Sequence, residues 1–101
     1  MVQEEIFGPV VVAMPIDSMD DVPAMANDSK YGLAASVWTQ DISKATRLAS
    51  DIKAGTVWIN CHLMFDASLP IGGFKESGWS RDSGMQAVEN YLETKTVCAV
   101  V

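Results

Sequence analysis

The sequence predicts an α/β fold organised on a parallel sheet. Three observations carry the prediction. Gly55 to Cys61 (Gly-Thr-Val-Trp-Ile-Asn-Cys) is a short apolar, β-branched run opened by a glycine, as expected of a strand covered on both faces. Directly before it, Ile42, Ala45, Leu48, Ala49 and Ile52 recur at the helical period. Before that helix, Leu33 to Thr39 is a second apolar strand. Strand, helix and strand in this order make a β-α-β unit, whose crossover should be right-handed.

The remaining elements extend the pattern in both directions. Glu4 to Pro9 ends in a Gly-Pro corner. Val10 to Pro15 reads as a first strand. Asp17 to Asp21 is acidic, as a helix start often is, and Pro23 decides where the cap lies. A proline costs about 3 kcal/mol inside a helix but is tolerated in its first turn. Of the two candidates, Ser18 and Asp20, that places the cap at Asp20 and the end of a short helix near Asn27; the alternative is an earlier start with a kink. Tyr31-Gly32 reads as a turn. Asp41 caps the periodic helix, with Lys53 in its last turn and Gly55 as its C′ residue. The whole is then β-α-β-α-β. From His62 to Arg81 the periodicity disappears, and an irregular stretch of this length is usually functional. Ser83 to Leu92 suits a helix with Val88 and Tyr91 or Leu92 inward. Thr94 to Val101 is an apolar strand whose edge needs a partner.

The totals narrow the function. With 101 residues the chain is at most one ordinary domain, and its 49% apolar content suffices for a core. A chain this short buries only about two-thirds of its unfolded surface. Seven Lys and Arg against 13 Asp and Glu give a net charge of −6, a poor match to nucleic acid. No apolar run approaches the roughly 20 residues that span a bilayer, so no membrane is expected. The N-terminus lacks a charged region followed by an apolar stretch, so no signal peptide is expected. Cys61 and Cys98 both lie in apolar runs and read as reduced, buried thiols of a cytoplasmic protein.

Few residues offer chemistry by themselves. Cys61 is a tempting nucleophile beside His62, but neighbours on a strand point to opposite faces. A buried strand cysteine is the plainer reading. His62 is the only histidine and has no companions at zinc-ligand spacing. Gly72 to Gly78 has glycines and a lysine but not the spacing of a phosphate loop.

The motifs taken together say more. Glu4 to Pro9, Asn27 to Leu33 (Asn-Asp-Ser-Lys-Tyr-Gly-Leu), Gly55 to Asn60, Pro70 to Gly78 (Pro-Ile-Gly-Gly-Phe-Lys-Glu-Ser-Gly) and Glu93 to Val97 resemble, in order and spacing, the C-terminal part of an NAD(P)-dependent aldehyde dehydrogenase. The resemblance covers essentially the whole chain. It implies that residues 1–81 are the C-terminal part of the catalytic domain, 82–92 a connecting helix and 93–101 an oligomerisation strand. It implies that Glu5 hydrogen-bonds the ribose on the nicotinamide side of NAD or NADP and that Phe7 packs on the nicotinamide end. Phe65 and Ile71 fall where the family lines its aldehyde pocket, with His62 and Leu69 nearby. The implied reaction oxidises an aldehyde to a carboxylic acid through a thiohemiacetal, hydride transfer and acyl-enzyme hydrolysis. The implied assembly is a dimer or tetramer. Ile71 departs from the aromatic residue that many relatives carry, and Ser80 and Asp82 replace the usual Gly and Glu. The family's Gly-Gln-x-Cys nucleophile, its glutamate base and its dinucleotide-binding domain are not in this sequence. The residues leave a second function class open, a non-enzymatic α/β assembly module or inactive fragment. Coding sequence upstream of Met1 carrying the cysteine and glutamate motifs would separate the two.

Overall fold

The computed structural model describes residues 2–101. Seven short elements run in the order α1 (Val22–Asn27), β1 (Tyr31–Gly32), β2 (Ala34–Val37), α2 (Ile42–Asp51), β3 (Thr56–Ile59), β4 (Phe74–Lys75) and α3 (Gly84–Glu89). The β2-α2-β3 unit forms as expected. β2 and β3 pair in parallel, with Ala34 opposite Thr56 and Val37 opposite Ile59.

This unit has two distinct faces. On one, Val37 meets Ala45 and Leu48 of α2 in a small core, extended by Val22, Ile52, Val57 and Ile59. On the other, Trp58 is buried against the irregular segment that follows β3. Asp41 starts α2 by accepting from the backbone N–H groups of Ser43 and Lys44. The helix stops earlier than its periodicity suggests, and Gly55 is not its C′ residue. Ile52 is already extended. Asn27 supplies what the helix end lacks: its amide donates to Asp51 O at 2.8 Å, and its oxygen accepts from Lys53 N at 2.7 Å. Lys53 therefore lies beyond the last turn.

Several expectations are corrected. α1 is capped one residue later than expected, at Asp21, with Pro23 in its first turn. Tyr31-Gly32 is not a free turn but strand β1, paired antiparallel with β4 from the long segment. The segment is anchored there at several points. Lys75 Nζ donates to Asn27 O and Ser29 O at the end of α1. Arg81 donates to Gly73 O and lies over the Phe74 ring. Ile71 and Asp82 exchange backbone hydrogen bonds at 2.8 and 2.7 Å.

The two flanks differ most from expectation. Val10 to Pro15 forms no strand, and neither does Thr94 to Val101, so the five-element β-α-β-α-β arrangement is not completed among the described residues. Val88, Tyr91 and Leu92 are exposed rather than inward, and so is Cys98, while Cys61 is half-buried; neither cysteine is in a disulfide. The reason is geometric. Residues 6–19 and 91–101 are arms, exposed throughout, and neither stretch joins a strand ladder in this chain. The radius of gyration is 18.0 Å, against about 13 Å for a compact chain of this length. An apolar strand needs a neighbour to supply its ladder, and sequence pattern alone cannot provide one.

Candidate functional site

Trp58 is the centre of the first candidate site. It is only 8% exposed, and its indole N–H donates to Met64 O at 2.8 Å. A buried indole requires such a partner. To provide it, the chain must double back directly after β3. Two left-handed residues make that bend, Asn60 (φ 54°) and Leu63 (φ 55°). Asn60 is stabilised by two hydrogen bonds to the Thr39 backbone. Leu63 has no such help, and this conformation is disfavoured for its side chain.

The bend brings Phe65 edge-to-face on Trp58, with ring centroids 5.5 Å apart and planes at 83°. Beyond it, Asp66 accepts from the Ser68 hydroxyl at 2.6 Å and the Ser68 N–H at 2.8 Å. Those two bonds, the hydroxyl's foremost, hold the Asp66 carboxyl below the usual carboxylate range. The result is a cavity of about 670 Å³ walled by Trp58, Met64, Phe65, Leu69 and Ile71. It is mainly apolar and of ligand size.

Three of the four expected substrate residues, Phe65, Leu69 and Ile71, thus converge on one cavity. His62 is outside its lining. It packs edge-to-face on Trp58 at 5.3 Å and shares a 2.8 Å hydrogen bond, through Nδ1, with Ser36 Oγ. Trp58, Met64 and Asp66 were not singled out from the sequence. The signal was present for Trp58, since a tryptophan in a covered strand needs an acceptor.

Glu5 lines a different cavity, of about 600 Å³, with Tyr31, Gly32, Lys53 and Ser77. Phe7 lines neither cavity and is 99% exposed. No lining residue is common to the two cavities. Among the described residues no cluster of His, Cys, Asp or Glu is arranged to hold a metal ion. None of the helices is long and apolar enough to cross a membrane.

The model of the aldehyde dehydrogenase family matches residues 1–97. The chain belongs to the aldehyde dehydrogenase family. Among its relatives, a putative aldehyde dehydrogenase, DhaS, of Bacillus subtilis is 50% identical over 95 residues, which are 94% of this chain and 19% of that protein. Phenylacetaldehyde dehydrogenase of Pseudomonas fluorescens is 47% identical, over 96% of this chain and 19% of its own length. Among solved structures, the NAD+ complex of an aldehyde dehydrogenase from Bacillus cereus superposes with a TM-score of 0.89 at 53% identity, covering 94% of this chain and 19% of that one. The chain therefore spans about a fifth of the length of the relatives it matches. Its small α/β architecture is that of the corresponding part of those structures.

Proposed function

We propose that the chain is the C-terminal portion of an enzyme that oxidises an aldehyde to a carboxylic acid with NAD or NADP, residues 1–81 belonging to the catalytic domain, 82–92 connecting, and 93–101 serving assembly. The observation that carries this reading is the family match over residues 1–97, joined to the apolar cavity beneath Trp58. Phe65, Leu69 and Ile71 give the substrate's carbon chain an apolar wall and keep water from it, with His62 at the margin. Ile71, where many relatives have an aromatic ring, widens that wall for bulkier aldehydes.

Glu5, at the other cavity, and Phe7, exposed two residues on, suit one end of a dinucleotide. The Glu5 carboxylate can accept from ribose hydroxyls, and the exposed Phe7 ring offers an apolar plane to a nicotinamide. When bound, NAD(P) takes up the hydride. What this chain's residues do is hold and orient that end. Losing a hydrogen bond to a charged group costs about 1.5–3 kcal/mol. Glu5→Gln in the full-length enzyme is therefore expected to weaken cofactor binding or slow hydride transfer by about tenfold or more. Cofactor titration and single-turnover kinetics both unchanged would reject the assignment.

The arms acquire partners in the same reading. Thr94 to Val101 is an apolar strand with a free edge, and pairing with another subunit of a dimer or tetramer satisfies it. Deleting Lys95 to Val101 from the full-length enzyme is expected to leave monomers or aggregates. Retention of the parent mass in light scattering would refute this. We place the full-length enzyme in the cytoplasm on the sequence pattern of this chain's two cysteines alone.

A further inference from the structure

Behind the wall of the apolar cavity stand side chains that touch its lining. The parallel register places Ser36 of β2 directly beside Trp58 of β3, on the sheet face turned away from α2. From there a chain of contacts runs outward. Ser36 Oγ is 2.8 Å from His62 Nδ1, the His62 ring stands at 74° to Trp58, and Trp58 holds both the Met64 carbonyl and the Phe65 ring.

We propose that Ser36 and Trp58 are positioning residues that determine which aldehydes the cavity admits, by fixing His62 and the Met64–Phe65 segment. The proposal rests on the reading of this cavity as the aldehyde site. Phe65 is 61% exposed and has its aromatic anchor at Trp58. The adjoining Leu63 has a backbone conformation that a branched side chain leaves unless its neighbours hold it. The bond from the Trp58 indole to the very next residue, Met64, is such a hold. Without it the segment is anchored only beyond Phe65, by the Gly84 N–H on Ala67 O and the Asp66–Ser68 bonds, and the wall at Phe65 shifts outward. Ser36 acts one step further back. Its hydroxyl fixes the His62 ring against Trp58, so that Trp58 is gripped from both sides.

The test uses the full-length enzyme with NAD+ and a series of aldehydes from short aliphatic to bulky aryl. Trp58→Phe keeps an apolar ring but removes the donor. It is expected to change the ratio of kcat/KM between bulky and short aldehydes by about tenfold, through the aldehyde KM, while the KM for NAD+ stays constant. Ser36→Ala should move the ratio in the same direction by less, and Ser36→Thr, which keeps the hydroxyl, should return it to the parent value. A merely structural role would lower activity on every aldehyde by one common factor. That outcome, or an unmoved ratio, overturns the proposal. Should Trp58→Phe fail to fold, the comparison of Ser36→Ala with Ser36→Thr decides it alone. A parent enzyme that oxidises none of the series overturns the functional reading and this proposal together. A parent enzyme that does, with unmoved ratios in the variants, overturns only the proposal.

Discussion

Gly55→Ala is expected to cost the fold about 3 kcal/mol, because the added methyl has nowhere to go. The Gly72 carbonyl from the long segment sits directly against the Gly55 Cα, and a Cβ built there overlaps that oxygen and crowds the Gly73 Cα. The obstacle is backbone, so no side-chain rotation relieves it. The backbone at Gly55 is itself one that alanine adopts, so the effect is steric rather than conformational. Either β3 or the Pro70–Gly73 crossing must move. Moving the crossing disturbs Ile71 and the cavity; moving β3 breaks its hydrogen bonds to β2. Gly8→Ala is the matched control, since nothing lies within 4 Å of a Cβ at Gly8. In the full-length protein, Gly55→Ala should sharply lower soluble yield and the thermal inactivation midpoint, with Gly8→Ala close to the parent. An equal midpoint for Gly55→Ala would show that the close approach of Gly72 is not obligatory.

The second large effect is an absence. The polypeptide Met1–Val101 on its own is expected to form no NADH from any aldehyde. The reaction needs a thiolate, a base and a bound dinucleotide held together. Glu5 and Phe7 are the two residues we propose for the cofactor, and the cavity that Glu5 lines is separate from the apolar one. Cys61 is no substitute. It is half-buried, and its one candidate base, His62, is engaged by Ser36 and Trp58. The exposed arms should also make the isolated polypeptide self-associate. Purified Met1–Val101 incubated with NAD or NADP and a panel of aldehydes gives the answer by absorbance. Reproducible NADH formation abolished by Cys61→Ala would make Cys61 the nucleophile and end this reading.

The elements that the sequence places correctly are those whose signals are local. Asp41 announces α2 because a carboxylate at an N-cap acts on N–H groups two and three residues away. Ala45 and Leu48 face the core because helical spacing fixes which side they occupy. Pro23 confines the start of α1 to its first turn. Thr56 to Ile59 is a strand, and the strand–helix–strand order makes its pairing with Ala34 to Val37 parallel. The family motifs were legible for a related reason: they are short, contiguous patterns at set spacings. They brought Phe65, Leu69 and Ile71 into view before any coordinate placed them in one cavity.

What depended on tertiary structure is everything that needs a distant partner. The end of α2 is set by Asn27, 24 residues before its last residue, and no periodicity could reveal that. Tyr31-Gly32 is a strand only because Phe74 and Lys75 arrive beside it. The apolar runs Val10 to Pro15 and Thr94 to Val101 have strand composition but no neighbour in this chain, so composition and structure part there. The Trp58 wall depends on a bend through two left-handed residues, which brings a carbonyl to the indole and a phenyl ring to its face. The sequence by itself determined the local elements and the family. Tertiary contacts alone decided where those elements stop, which of the apolar runs pair, and that Ser36 stands behind the cavity, because hydrogen-bond partners and steric neighbours are properties of space and not of chain order.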